Sequence, residues 1–272
     1  MAHGWVELRD CVPEVVRTAW IAQALAGIRS APTDLVKECG PGDPGTDLLC
    51  YDPGRPETCR RPLVTFRGDR RFMPREVMPR LWQATCELVG GEERLQAREW
   101  SNYLIFANGS RTRLPRWWQR WLQRQGHGIR SAAWHVDAPS PRARLATWRT
   151  GLIVLLRFSD VAPWRGATLI APDSLARIGR RLRAHPDGYD LTRPRLGQEI
   201  ARECRGFVEL SGAAGDAVLM HPWMLHGPSR NLGGGVRVLA NPLVYLAQPW
   251  RLDRPFGERS PLEHATNRAL GC

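Results

Sequence analysis

Beyond residue 96 the sequence is a succession of short apolar runs: REWSNYLIFAN, SAAWHVDA, TGLIVLLRFSDV, GATLIAP, GFVELSG, GDAVLMHP and RVLANPLVYLA, parted by Gly, Pro and Asp. Runs of this length, bounded by turn residues, read as strands, and they follow one another without the regular strand–helix alternation of a parallel sheet. Helical patterns interrupt them at about 115–125, 173–184 and 194–204. Earlier, GWVELR at 4–9 reads as a short strand, and helices are predicted from Pro13 (PEVVRTAWIAQALAGIRS) and over MPREVMPRLWQATCELVG. The pattern predicts a mainly β fold with flanking helices, an antiparallel barrel or jelly roll.

With 272 residues the chain is long enough for one domain with insertions, spanning 1–272. Residues 30–75 change character: CGPGDPGTDLLCYDPGRPETCRRP is too irregular for a long element and reads as a loop or lid. No window has the apolar length of a membrane span, and MAHGWVELRDC lacks a basic region followed by an apolar run, so a cytoplasmic protein without a membrane partner is expected. The seven cysteines have irregular spacing and no CxxC pair, so free thiols are expected; a local disulfide among Cys39, Cys50 and Cys59 is the alternative.

A net charge of +12 raises a nucleic-acid reading. Lys37 is the only lysine among 39 basic residues, and the arginines are spread along the chain, which weakens it. Only RTRLPRWWQRWLQRQGHGIR at 111–130 mixes cations with aromatics as a single-strand-binding surface does. At helical spacing Trp117, Trp118 and Trp121 fall on one side, and Arg116, Arg120 and Arg124 largely elsewhere. That predicts an amphipathic helix packed on the core by its tryptophans, with solvated arginines. A basic nucleic-acid-binding protein stays as the second functional class.

Within WHVDAP, His135 and Asp137 stand two apart, which in a strand puts both side chains on one face. A second histidine would complete the two-His-one-carboxylate face that leaves positions open for Fe(II) oxygen chemistry. With seven histidines and 27 acidic residues, an HxD pair arises easily by chance and needs context.

The context is SGAAGDAVLMHPWMLHGPSRNLGGGVRVLANPLVYL. Gly215–Asp216 opens an apolar strand that AVLMHPWMLHG carries to His226; Gly233, Gly234 and Gly235 reverse the chain, and VRVLANPLVYL returns as its neighbour. Arg237 is then on a strand adjacent to that of His226, where its planar fork could take the far carboxylate of a dicarboxylate. His221 competes for the third ligand position. Its odd offset from His226 turns it to the other face of a regular strand, but Pro222 breaks that regularity and leaves it able to line the pocket.

The ordered set of HxD, GDAVLMHPWMLHG and an arginine eleven residues on resembles the phytanoyl-CoA dioxygenase-like family of Fe(II)/2-oxoglutarate oxygenases. GWVELRDCVPEVV is similar to the family's opening strand and helix, and GLIVLLRFSDVAPWRGATLIAPDSL to its two central strands. The resemblance covers residues 131–245 well and most of the chain loosely. It implies a double-stranded β-helix (jelly roll, cupin-like), Fe(II) bound by His135, Asp137 and His226, and O2 with 2-oxoglutarate as cosubstrates. It also implies that Arg237 holds the distal carboxylate, aided by Asn102 or Tyr103. Pro228 stands where a serine is often found, so Ser229 would supply that hydrogen bond, and Leu155 stands where an aromatic often packs. Retention of Asp137, which related halogenases replace with a small residue, implies hydroxylation, desaturation or oxidative ring closure.

The substrate is less determined. Twelve tryptophans are many for this length, and a tryptophan face suits the C–H side of a sugar or any flat apolar ligand. Trp134, Trp223 and Trp164, with His221, are the candidate substrate contacts; barrel packing is the alternative. The basic surface suits an anionic substrate. Size, arginine bias and tryptophan content resemble the orthosomycin-type oxygenases that close bridges on oligosaccharides, which implies a small natural product, a glycan or a glycosylated one among them. A metal-binding barrel without oxygenase activity is the third reading. Oligomeric state is not legible.

Overall fold

Every residue of the run Thr150–Arg157 is buried, which a strand achieves only when both of its faces are covered. This run organises the computed structural model, in which the described residues are 1, 3–29, 64–67, 73–98, 104–108, 115–138, 141–232 and 237–272. In chain order the elements are β1 (Trp5–Leu8), α1 (Glu14–Arg29), β2 (Val64–Arg67), α2 (Pro74–Val77), α3 (Pro79–Val89), β3 (Leu104–Asn108), α4 (Arg116–Gln125), β4 (Thr150–Arg157) and β5 (Thr168–Ala171). There follow α5 (Ser174–Ala184), α6 (Leu196–Glu203), β6 (Val208–Leu210), β7 (Ala217–Met220), β8 (Leu225–Pro228), β9 (Arg237–Ala240), β10 (Leu243–Tyr245) and α7 (Pro261–Leu270).

The strands form two antiparallel sheets of a jelly roll. The larger runs β1-β7-β4-β9-β3-β2, with β10 also paired to β4; the smaller runs β6-β5-β8. Both contribute to one apolar cluster, from Cys11 to Leu270, that includes Leu152–Leu156, Leu169–Ala171 and Ala217–Met220. Helix α3 touches β4 and α7, and α7 touches α5, so helices cover the larger sheet where β4 needs it. Asp216 fastens the start of β7: its carboxylate accepts from the backbone N–H of Asp10 and of Ala213, both at 3.0 Å, and faces the buried Arg157 guanidinium at 3.4 Å.

Several expectations need correcting. The run from Asp216 to His226 is not one strand. β7 ends at Met220, Pro222 has no N–H to continue a ladder, and after His221–Met224 the chain re-enters as β8 in the smaller sheet. The return run is likewise split into β9 and β10 at Asn241–Pro242, and β9 pairs with β3 and β4, so Arg237 is not on a neighbour of β8. SAAWHVDA makes isolated bridges and no regular strand. The helix over 73–90 divides at Met78, whose φ of −140° is outside the helical range as expected before Pro79.

The tryptophans of α4 do not pack on the core. Trp117 is 65% exposed, Trp118 39% and Trp121 43%, and no residue of the helix is buried. They cover one another instead, with ring centroids 5.4 Å apart for Trp117–Trp118 and 5.2 Å for Trp118–Trp121. Within the expected loop or lid, Val64–Arg67 forms strand β2 against β3. Residues 30–63 and 68–72, with Cys39, Cys50 and Cys59, lie outside the described residues. Cys11, Cys86, Cys204 and Cys272 are free thiols.

The terminal helix α7 was not anticipated, although its signal was present. In SPLE, the Ser260 hydroxyl accepts from the Glu263 N–H at 3.2 Å and the Glu263 carboxylate accepts from the Ser260 N–H at 3.0 Å, a reciprocal cap with proline in the first turn.

Candidate metal centre

The smaller sheet continues past β8 into a two-chain ribbon. Ala132 bridges to Ser229 and His135 to His226; His135 donates its N–H to the His226 carbonyl at 2.9 Å and accepts from the His226 N–H at 3.0 Å. The ribbon closes tightly because Gly227 has no side chain: a Cβ there would stand 2.4 Å from the Ala133 carbonyl oxygen. Backbone pairing therefore sets the two imidazoles side by side, ring centroids 4.3 Å apart.

Asp137 completes a group whose ligand atoms all lie within 4.8 Å of one another. Its Oδ1 is 3.7 Å from His135 Nε2 and its Oδ2 3.7 Å from His226 Nε2. The environment is graded: the His226 side chain is 6% exposed, that of Asp137 23% and that of His135 50%.

The proton positions follow from the hydrogen bonds. His135 Nδ1 is 2.9 Å from the Ala133 carbonyl oxygen and His226 Nδ1 is 2.9 Å from that of Met224. A carbonyl only accepts, so both Nδ1 atoms carry the proton, and each Nε2 of the neutral ring presents a lone pair. Burial also pulls the His226 pKa below its ordinary value, against the opposing pull of the Asp137 charge. Asp137 Oδ2 is buried and has no hydrogen-bond partner among the described residues. With both rings neutral, two lone pairs face the carboxylate, and a cation between them would satisfy all three groups. A divalent first-row ion bonded at about 2 Å to each atom fits this donor set, with both imidazoles oriented by backbone carbonyls.

Arg237 reaches the same end of the fold from the other sheet. It is 3% exposed, and its Nε donates to the Gly166 carbonyl at 2.7 Å, just ahead of β5, the partner of β8. Ser229 donates its backbone N–H to the Ala167 carbonyl at 2.9 Å, so the two residues meet on consecutive peptides. Burial alone lowers the Arg237 pKa, to about 9, which leaves it charged at neutral pH. Among the described residues no carboxylate lies within ion-pair distance of it. A buried guanidinium without an acidic neighbour fits a ligand carboxylate, so the residues present suit both iron and 2-oxoglutarate.

The remaining candidates separate. Asn102 and Tyr103 lie outside the described residues. His221 is not a metal ligand: its Nδ1 accepts from the Trp223 N–H at 3.0 Å, its Nε2 donates to Thr266 Oγ1 at 2.9 Å, and burial lowers its pKa to about 3. Trp223 is fully buried against Trp148 and Trp250, and Trp134 is buried against Phe207 with its Nε1–H on the Ile129 carbonyl. In this structure His221, Trp134 and Trp223 therefore pack the interior, and only Trp164, half-buried, lines an open cavity. Leu155 is core. Burial and then the charge of Asp137 raise the pKa of Tyr245, at the end of β10.

A family model described as phytanoyl-CoA dioxygenase (PhyH) matches residues 66–239. No curated protein sequence matches the chain. Among solved structures it is similar to the non-heme alpha ketoglutarate dependent carbocyclase SnoK from nogalamycin biosynthesis, with 17% identity and a TM-score of 0.49 over 90% of this chain and 80% of that one. It is also similar to HygX from Streptomyces hygroscopicus with nickel and 2-oxoglutarate bound, at 13% identity and a TM-score of 0.45 over 92% and 86% of the two chains.

Proposed function

Because the chain belongs to the phytanoyl-CoA dioxygenase family, a family of Fe(II)/2-oxoglutarate-dependent oxygenases, we propose that His135, Asp137 and His226 hold Fe(II) and that Arg237 and Ser229 bind the distal end of 2-oxoglutarate. The reaction is oxidation of a C–H bond, by hydroxylation or oxidative ring closure. When bound, iron and 2-oxoglutarate supply oxygen activation coupled to decarboxylation of the cosubstrate. The observation that carries the reading is the pair of Nε2 atoms, each 3.7 Å from one oxygen of the Asp137 carboxylate, whose buried Oδ2 has no hydrogen-bond partner among the described residues.

The chain's own residues position, charge-match and exclude. The ribbon fixes the two imidazoles through backbone pairing, so little reorganisation is needed on loading. Arg237, buried at the opposite wall, selects a ligand carrying a second carboxylate and aligns it by its fork. Exposure of His135 beside buried His226 gives the site one open side, through which substrate enters. We further propose, on the likeness to orthosomycin-type oxygenases, that the substrate is a small natural product, sugar-bearing ones included, and that residues 1–272 act as a single catalytic domain.

The test is anaerobic titration of metal-free protein with Fe(II) and then 2-oxoglutarate, following the weak visible charge-transfer band of the chelated cosubstrate. The expected band vanishes in His226→Ala, which no longer binds iron, and needs at least tenfold more cosubstrate in Arg237→Ala, which still does. Iron binding without a band would favour a metal barrel without oxygenase activity. Absence of metal binding would overturn the assignment of all three ligands.

A further inference from the structure

A cavity of about 290 Å³ lies between α4 and the metal ribbon, walled by Trp121, Leu122, His127, Arg130, Trp164 and Arg230. One wall is built with care. Trp164 holds a φ of 62°, a backbone conformation that a bulky residue keeps only when its surroundings over-determine it. Its N–H donates to Glu209 Oε1 at 2.8 Å, its carbonyl accepts from the Leu232 N–H at 2.9 Å, and Arg165 bridges to Asn231. The other oxygen of Glu209 is 2.9 Å from His127 Nε2, and the His127 ring lies stacked on Trp164, centroids 4.0 Å apart and 21° from parallel. A carboxylate thus clamps two rings into one flat double layer facing the cavity, opposite Trp121 of α4.

The other walls carry charge. Arg130 and Arg230 are both exposed, and among the described residues neither has a carboxylate within ion-pair distance. The ribbon leads to both: Arg230 stands one residue past the Ala132–Ser229 bridge and Arg130 two, and that bridge is three residues from the His135–His226 pair. At about 3.3 Å per extended residue, the edge of the cavity begins about 10 Å from the metal ligands.

We propose that this cavity is a substrate-recognition subsite for a flat aromatic or heteroaromatic ring bearing an anionic group, a carboxylate, sulfate or phosphate monoester. The ring inserts beside the His127–Trp164 layer, the two guanidiniums take the anion, and the C–H bond to be oxidised lies about 10 Å along the substrate. Its meaning for catalysis rests on the iron and 2-oxoglutarate reading; its binding does not, so the two are tested apart.

The test uses the full chain without metal and three probes, 2-naphthoate, the neutral 2-naphthylmethanol and the non-planar cyclohexanecarboxylate, by calorimetry and ligand-observed NMR. The expected result is binding of 2-naphthoate and at least tenfold weaker binding of the other two. The Arg130→Ala/Arg230→Ala pair weakens 2-naphthoate at least tenfold and Trp121→Ala several-fold; all three positions are exposed, so the fold is retained. His226→Ala and Arg237→Ala leave it unchanged. Displacement of 2-naphthoate by 2-oxoglutarate, or its loss in Arg237→Ala, would place it at the buried arginine and overturn the proposal. Equal binding of cyclohexanecarboxylate, or no binding of any probe, would overturn it too. The charge-transfer band of the wild-type protein is read without these probes, so failure of the iron reading shows separately.

Discussion

His135 and His226 are direct partners across an antiparallel pair, each donating its backbone N–H to the other's carbonyl, at 2.9 and 3.0 Å. The spacing of the two imidazoles is therefore a property of main-chain pairing. Anything that widens the ribbon widens the metal site.

Gly227→Ala tests this. The new Cβ would meet the Ala133 carbonyl oxygen at 2.4 Å, an atom that cannot turn away. Metal affinity is expected to fall about 10- to 100-fold, the range for disturbed ligand support, with far-ultraviolet circular dichroism retained. Unchanged affinity would show that the ribbon does not set the ligand spacing.

Asp137→Asn separates binding from stability. The carboxylate has a buried oxygen without a partner among the described residues, and its removal relieves a cost of about 1 kcal/mol or more in the metal-free state. The metal-free variant is expected to match or exceed the wild type in a urea titration while losing iron binding. A loss above about 2 kcal/mol would mean that the carboxylate is structural.

His221 makes the fold acid-sensitive. Its pKa in the folded protein is about 3, against an ordinary value of 6.5. As pH falls through 6.5 the unfolded chain takes up a proton that the folded chain refuses until about pH 3, so stability is full above that window and is lost within it. The slope is about 1.4 kcal/mol per pH unit at its steepest. Urea midpoints at pH 4–8 should show His221→Asn losing this part of the slope below pH 6.5; parallel curves would remove His221 as the cause.

Glu263 holds the start of α7. Its carboxylate accepts from Ser260 and Arg251 N–H groups and faces Arg94 at 3.1 Å and Arg254 at 3.5 Å, and these contacts outweigh burial and lower its pKa. Glu263→Ala leaves two half-buried cations and two backbone donors without their acceptor, and is expected to cost about 3 kcal/mol in denaturant unfolding. A cost below about 1 kcal/mol would mean that Arg94 finds water instead.

The strand pattern gave the fold class because burial of a sheet face writes itself into the residue types, as in TGLIVLLR. The three metal candidates were legible because the chemistry demands those side chains. What was hidden is which sheet a run joins. Apolar periodicity reports the face of a residue and not its hydrogen-bonded neighbour, so β7 and β8 read as one strand, and Arg237 reads as a neighbour of His226 although its strand belongs to the other sheet. Tryptophan carries the same ambiguity. The stripe on α4 and the pair Trp134 and Trp223 have equal hydrophobicity, yet the first is exposed and the second buried. His127, Glu209 and Trp164 come together from three separate segments, and no local pattern links them.

The crossing at His221–Met224 has one more consequence. That segment is moored to the end of the chain through the Thr266 hydroxyl, and it delivers His226 five residues later. The carboxy-terminal helix, which supplies no ligand, is thus the anchorage of one arm of the metal grip. Loss of the Thr266 hydroxyl alone, as in Thr266→Val, should slacken the hold on iron while the barrel stays folded.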